Sequence, residues 1–368
     1  MGTTRSEASL PAETILFIRL GAIGDVVRTL PALDLLARTR PHASIDWLVE
    51  ERSASLLEDH PQIRNVLVFR RRELASLGSS LRLFAAAALL REQLERLRAA
   101  NYHAVVDFQG SLKSAWLASR TGSARRFGPA RGHGREASHL FYTDPINPGP
   151  GRMSRVERNL RFLAAAGLVA TGPPSPPPRA MLPLTAADRD WAAGVLASLA
   201  PAPRPRVLLY PGTSERQAYK RWPADRYGRV AGRLADAGVQ VLIAGGPGEE
   251  GMVEAACAAS SSPPARVPLA SLRQLAAILE RIDLFVGGDT GPMHLAWAAG
   301  SRVLALLGAT DPVINAPYDP DHRGHRVLYH GPEERPYRVT GAPARAWMEA
   351  ITVDEVEAAC RALVGAGR

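Results

Sequence analysis

Lysine is almost missing from this chain: of 45 basic residues only Lys113 and Lys220 are lysines. A composition so biased toward arginine would fill an indifferent basic position with arginine. The two ammonium groups are therefore candidates for places where a compact point charge is needed and a planar fork does not fit. Cysteine is as scarce. Cys257 and Cys360 are too few for a disulfide framework and lack metal-ligand spacing, so both are expected as buried apolar side chains in a reducing compartment. No apolar run is long enough to span a bilayer. The run Ile15–Ile18 is followed by Arg19 and Asp25, which also argues against a signal peptide. A cytoplasmic location is expected. The absence of G-x-S-x-G, H-E-x-x-H and P-loop motifs removes the common hydrolase and kinase readings.

What is present is unevenly charged. Residues 1–183 carry 25 Lys+Arg against 16 Asp+Glu, whereas the remainder carries 20 of each, so the whole net charge of +9 lies in the first half. That half is suited to an anionic partner such as a phosphorylated substrate or a membrane surface. No zinc finger, RNA-recognition signature or aromatic-studded basic stripe accompanies it, so nucleic acid is not expected.

At 368 residues the chain is long enough for two domains. Short apolar or β-branched runs at Thr14–Leu20, Ser44–Val49, Val66–Phe69 and Ala104–Phe108 alternate with helical patterns, the longest being Leu81–Ala100. A single helix is expected through Val26, Leu30, Leu33 and Leu36. After the Pro-rich Thr171–Pro183, a linker, Thr185 is placed to cap a helix. Arg206–Tyr210, Val239–Ala244, Leu284–Val286 and Val303–Leu307 supply a second set of strands, and Ile351–Val364 a last helix. Alternation of this kind predicts an α/β protein of two Rossmann-like halves, parallel sheets covered by helices, with a cleft between them. The expected boundaries are 1–172, a linker at 173–183, a second domain at 184–350 and a terminal helix at 351–368.

Three strand-to-helix turns can carry chemistry. In ILFIRLGAIGDVV, Gly21 and Gly24 allow close backbone approach, and Asp25 falls near a helix start as either an N-cap or a catalyst. In LLYPGTSERQAYKRWP, the loop Thr213-Ser214 followed by Lys220 offers amides, hydroxyls and one ammonium, which a pyrophosphate requires, or is a plain surface loop. In IDLFVGGDTGPMHLAWAAG, Asp289-Thr290-Gly291 open a helix whose N-terminal amides make an anion site. Asp289 would repel phosphate and is better suited to sugar hydroxyls; His294, one turn after Thr290, is a phosphate donor or a structural histidine. Glu249 follows a strand and a glycine-rich turn, where it can hold ribose hydroxyls. The D-x-D tripeptides Asp188–Asp190 and Asp319–Asp321 lie in a helix opening and a Pro-containing loop, and no metal site is expected at either.

Together LGAIGDVVRTLPAL, VVDFQGSLKSA, REASHLFY, RVERNLRFL, KRWP, GGPGEE, GGDTGPMHLA and GATDP resemble the bacterial lipopolysaccharide heptosyltransferases, inverting enzymes of the GT-B fold, over about residues 13–360. VVDFQGSLKSA and REASHLFY are most similar to the first heptosyltransferase, which acts on a Kdo sugar of lipid A. The resemblance implies transfer of heptose from ADP-heptose to the Kdo inner-core region, with Asp25 as general base and no cofactor or metal. It places Thr213, Ser214 and Lys220 on the ADP phosphates, Thr290, Gly291 and His294 at the opposing helix end, Asp289 on heptose and Glu249 on ribose. On the acceptor side it implies Gly24, Gln109, Lys113, Arg135 and Arg158, with Arg70, Arg71 and the neighbouring Arg72 available to a phosphorylated lipid. The partners expected are ADP-heptose, a phosphorylated Kdo-lipid A and, peripherally, the cytoplasmic leaflet of the inner membrane, for a monomeric protein. Ser154 stands where the family often has histidine. Alternatives are a GT-B transferase for another nucleotide sugar or acceptor, a GT-B-like sugar-nucleotide epimerase, and a non-catalytic anionic-lipid scaffold.

Overall fold

The structure is a computed structural model that describes residues 13–199, 205–308, 310–319, 324–333 and 340–365. The polar N-terminus 1–12, Asp321 and residues 366–368 lie outside them. Among the described residues no helix is long and apolar enough to cross a membrane.

Twelve strands are described: β1 (Thr14–Ile18), β2 (Ser44–Glu50), β3 (Asn65–Phe69), β4 (Ala104–Asp107), β5 (Arg125–Pro129), β6 (Asp144–Ile146), β7 (Arg206–Tyr210), β8 (Gln240–Ile243), β9 (Ala265–Arg266), β10 (Leu284–Gly288), β11 (Arg302–Leu307) and β12 (Arg326–Tyr329). They form two six-stranded sheets, β3-β2-β1-β4-β5-β6 and β12-β11-β10-β7-β8-β9, parallel at every pairing. Counted from its own first strand, each sheet has the 3-2-1-4-5-6 order of a Rossmann fold, whose ligand crevice opens where the strand order reverses. In the first sheet that point is β1/β4, with Ile18 opposite Asp107. In the second it is β7/β10, with Tyr210 opposite Gly287. All three motifs singled out from the sequence leave the sheets at these points.

The central strands are buried on both faces, which is why their sequences are continuous apolar runs rather than alternating ones. In the second unit Val207, Leu209, Ile243, Leu284, Val286, Leu304 and Leu306 pack with Val230, Leu234 and Val356 from flanking helices. Burial of each such side chain stabilises by about 1.5–3 kcal/mol relative to exposure. Cys257 and Cys360 join this core, and burial pushes the Cys360 thiol up to about 12. In the first unit Leu16, Ile18, Leu48, Val105 and Leu117 form the corresponding core.

The strands not anticipated from sequence are β5, β6, β9 and β12, which lie toward or at the sheet edges. The β5 sequence RRFGP and the three-residue β6 carry Arg, Gly or Pro where a pattern would be. Such residues suit sheet margins and leave no periodic signal.

The helix expected from Val26 through Leu36 is two helices, Ile23–Val27 and Leu30–Thr39. Pro31 has no N–H for the Val27 carbonyl, so the hydrogen-bond ladder breaks there; the Thr29 hydroxyl donates instead to the Asp25 carbonyl at 2.8 Å. The break has a topological consequence. The compact units are 1–21, 31–151 and 158–174 on one side, and 22–30, 152–157 and 175–368 on the other. The segment bearing Asp25 thus belongs with the second unit, although it directly follows β1.

Thr185 caps the Ala186–Ser198 helix in a reciprocal box with Asp188. Asp188 also pairs with Arg273 at 2.8 Å, and this contact, with the Thr185 bonds, draws its carboxyl down to about 2. The first D-x-D is thus a cap and an ion pair. Asp319 accepts the Gly324 N–H. No group of three or more His, Cys, Asp or Glu placed to hold a metal occurs among the described residues.

Candidate active site

Two glycines bring the Ile23–Val27 helix against the helix Gly291–Ala299. A Cβ on Gly24 would lie 2.6 Å from His294 Cδ2, and one on Gly291 would lie 2.9 Å from the Ile23 side chain. Real Cβ atoms do not approach so closely, so only glycine permits this contact. Gly24, expected among the acceptor-side residues, sits in the structure against the imidazole of the second unit. Thr290 is the N-cap of the Gly291–Ala299 helix, Pro292 lies in its first turn, and Gly300 ends it with a left-handed φ of 93°.

Asp25 lies in the first turn of its helix, with Ala22 rather than Asp25 as N-cap. Arg28 Nη2 donates to Asp25 Oδ1 at 2.7 Å, Arg28 Nε to the Gly24 carbonyl at 3.2 Å, and Arg28 Nη1 to Asn315 Oδ1 at 3.2 Å. Asn315 in turn donates to the Asp311 carbonyl, and Asp311 caps the short helix Pro312–Asn315. The guanidinium thus ties the carboxylate to the Gly24 carbonyl and to the Asn315 side chain.

Beside this lies a buried ionic group. Lys220 Nζ donates to Asp289 Oδ2 at 2.7 Å, both side chains about one-tenth exposed. His294 Nε2 is 3.6 Å from Asp289 Oδ1, too long for a hydrogen bond, so the coupling is electrostatic. Burial alone would raise the Asp289 carboxyl, but His294, Lys220 and Arg28 together hold it far below the usual range. Burial, followed by the charge of Arg28, pushes His294 down to about 4 against the pull of Asp289 and Asp25. At neutral pH the group is therefore an ionised Asp289–Lys220 pair with a neutral imidazole. Asp25, Arg28, His294, Asp289 and Lys220 form one electrostatic cluster within one unit.

The His294 shift sets a pH dependence. Its folded pKa is depressed, so between pH 6.5 and about 4 the unfolded chain takes up a proton that the folded chain refuses. The stability that it contributes is complete above 6.5 and is lost as pH falls, by about 3 kcal/mol across the window. Unfolding of wild type and His294→Asn at pH 7 and 5 should show a smaller acid loss in the variant. An imidazole resonance titrating near 6.5 would contradict the shift.

Around the cluster, Thr213 is buried and Ser214 exposed. Arg221 clamps their loop by donating to the Thr213 carbonyl and to Glu215. Glu249 Oε2 accepts the Gly246 N–H at 2.6 Å and lies over Gly212, beside the same loop. Three buried polar atoms here, Thr213 Oγ1, Arg221 Nε and His294 Nε2, make no hydrogen bond among the described residues.

The residues assigned to the acceptor lie in the first unit, apart from Gly24, and form two groups. Lys113 is hydrogen-bonded to Glu50, and Arg71 is 3.5 Å from the same carboxylate. Gln109 and Gly110 are held by backbone N–H bonds to Asp107 Oδ1, and the Arg135 N–H bonds the Gly110 carbonyl. Arg158 donates to the His133 carbonyl at 2.7 Å, and burial lowers its pKa. Arg70 stands apart, paired with Glu73 at 2.5 Å.

Sequence reasoning missed Arg28, Asn315, Asp107 and Glu50. Arg28 had a signal: it is three residues after Asp25, the spacing of helix-surface neighbours. Asp107 is wholly buried and organises its turn while accepting Tyr142 Oη at 2.8 Å; burial raises its carboxyl, partly offset by these bonds. Asn315 and Glu50 left no local trace.

Two parallel sheets of Rossmann order, with loops, a helix end and an acid at the strand-order reversals, are the architecture of the GT-B fold. Residues 90–336 match the model of glycosyltransferase family 9 (heptosyltransferase). The lipopolysaccharide heptosyltransferase 1 of Pseudomonas aeruginosa is 30% identical over 306 residues, 83% of this chain and 81% of that one. A family 9 glycosyltransferase from Veillonella parvula superposes with a TM-score of 0.77 at 19% identity, covering 96% of this chain and 97% of that one. Structures of E. coli heptosyltransferase WaaC with ADP and with ADP-2-deoxy-2-fluoro heptose give 0.74 and 0.72 at 24% identity, covering 95% of this chain and 99% of theirs. The chain belongs to glycosyltransferase family 9, the heptosyltransferases.

Proposed function

We propose that this enzyme transfers heptose from ADP-heptose, with inversion, to the Kdo region of a lipopolysaccharide core acceptor, in the cytoplasm at the inner membrane. The observation that carries the reading is the clustering of Asp25 and Arg28 with Lys220, Asp289 and His294. The names of the relatives support the sugar, and the ligands of the E. coli structures support the nucleotide.

In the proposed reaction an acceptor hydroxyl oxygen attacks the anomeric carbon from the face opposite the phosphate. Asp25 takes the hydroxyl proton, for which it must come within about 3 Å of that oxygen. The bond between anomeric carbon and phosphate oxygen breaks, and ADP leaves with its electron pair. Thr213, Ser214, Lys220 and the amides opening the Gly291–Ala299 helix are suited to that charge, and the unmatched buried Thr213 Oγ1 and His294 Nε2 are donors a ligand can satisfy. Glu249 would take the ribose and Asp289 the heptose hydroxyls. Gln109, Lys113, Arg135 and Arg158, with Arg70 and Arg71, would receive the anionic acceptor. The reading calls for no metal or other cofactor.

Calorimetric titration with ADP, UDP and GDP tests the donor: ADP should bind most tightly, and a preference for UDP or GDP would overturn the assignment. Transfer of labelled heptose from ADP-heptose to Kdo₂-lipid A tests the acceptor. Donor turnover without acceptor would point to an epimerase.

A further inference from the structure

Among the described residues the largest apolar side chain left in solvent is Phe84, 96% exposed, with Leu81 at 83% and Leu83 at 62%. All three stand at the turn between the helices Arg71–Ser79 and Leu83–Ala99. Single exposed hydrophobics are ordinary, but three within four residues at a helical tip are not. The first of these helices has no buried residue. Leu81 holds a φ of 58°, a left-handed conformation that is costly for a leucine, and gains no burial in return.

The charge pattern identifies what the tip meets. From Leu74 to Leu90 the single charged residue is Arg82, which is exposed and makes no ion pair among the described residues. At the base of the hairpin Arg70, Arg71 and Arg72 are exposed as well. Apolar side chains at a tip with arginines beside and behind them match an anionic bilayer surface, whose acyl region accepts the former and whose headgroups accept the latter. A water-exposed tip without function would not keep phenylalanine and two leucines; Arg82 puts a cation at the tip itself, while Arg70 and Arg71 at the base are paired with Glu73 and Glu50, partners that anionic headgroups can replace.

We infer that the turn Leu81–Phe84 is a membrane-inserting wedge, seating the protein on an anionic leaflet with Arg82 and the Arg70–Arg72 cluster at the headgroups. It deepens the proposed function, on which it rests for the acceptor being lipid-linked. The binding itself is measured without nucleotide or acceptor. Attachment through the arginines alone would vanish in high salt; a wedge adds a part that salt does not screen.

The test is sedimentation of the full chain with phosphatidylethanolamine/phosphatidylglycerol vesicles, for wild type and Leu81→Ser/Phe84→Ser, at low and high salt. Wild type should bind, retain part of that binding in high salt, and lose about tenfold or more in the double variant. Both side chains are solvent-exposed, so folding should be unchanged by circular dichroism. A nitrobenzoxadiazole label on Phe84→Cys, selective because Cys257 and Cys360 are buried, should shift to the blue on vesicles and be quenched by doxyl lipids. Equal binding by the double variant, an unquenched label, or no binding by wild type overturns the wedge. So does concentration-dependent self-association that only the double variant abolishes, which would assign the patch to a second copy. Vesicle binding without heptosyl transfer would retain the wedge and remove the proposed reaction. Transfer to a short water-soluble acceptor, unaffected by the double variant, would uphold both.

Discussion

Asp25→Asn is expected to lower heptosyl transfer by about 10²–10⁴-fold, the range for loss of a positioned general base, while ADP affinity stays nearly constant. Asparagine has the carboxylate's shape and cannot accept the acceptor's proton. The surroundings should hold, because Arg28 also donates to the Gly24 carbonyl and Asn315 Oδ1. A loss in the rate of the chemical step with unchanged nucleotide binding separates this role from a structural one. Turnover within a few fold of wild type would remove Asp25 from the base position. Single-turnover transfer beside calorimetric ADP binding reads both quantities.

The second large effect is expected at the buried ion pair. Lys220→Met removes the ammonium 2.7 Å from Asp289 and leaves a carboxylate in the interior without its direct counter-charge. Breaking a buried pair from one side costs about 3–5 kcal/mol. Stability and donor affinity should both fall. Lys220→Arg should restore neither, because the side chain is buried and a planar fork is larger than the ammonium it would replace. The double variant Lys220→Met/Asp289→Leu distinguishes folding from binding. With both charges gone, no unpaired ion remains and much of the stability should return, whereas ADP affinity should remain low. Thermal unfolding and ADP titration on the same three variants check this. A double variant recovering ADP affinity would exclude Lys220 as a phosphate ligand.

Both predictions concern residues visible from the sequence, yet they rest on pairings that were not. Lys220 stood out through the scarcity of lysine, and Asp289 through its place at the end of an apolar strand. Nothing in either segment indicated that the two side chains meet across 69 residues. The phosphate reading of Lys220 accordingly gains a structural duty: the ammonium also keeps Asp289 ionised. His294, open between ligand and structural histidine from sequence, is buried and neutral, with its outer nitrogen making no hydrogen bond among the described residues.

The sequence by itself determined the architecture of both sheets near their centres and the turns where chemistry can occur. Strands buried on both faces must be continuous apolar runs, and a chain that leaves such a strand tightly for a helix needs glycine at once, so these features are written locally. Only the tertiary structure decided the rest. The marginal strands carry no obligatory pattern: β6, β9 and β12 pair on one side only, and β5, next to the edge, is exposed at its start. The transfer of Ala22–Leu30 to the second unit follows from a glycine notch that fits His294, and Arg28 finds Asn315 across 287 residues. Periodicity reports what a segment does with its own neighbours. It holds no record of which distant side chain will complete a charge or fill a missing Cβ, because that choice is made by the packed fold.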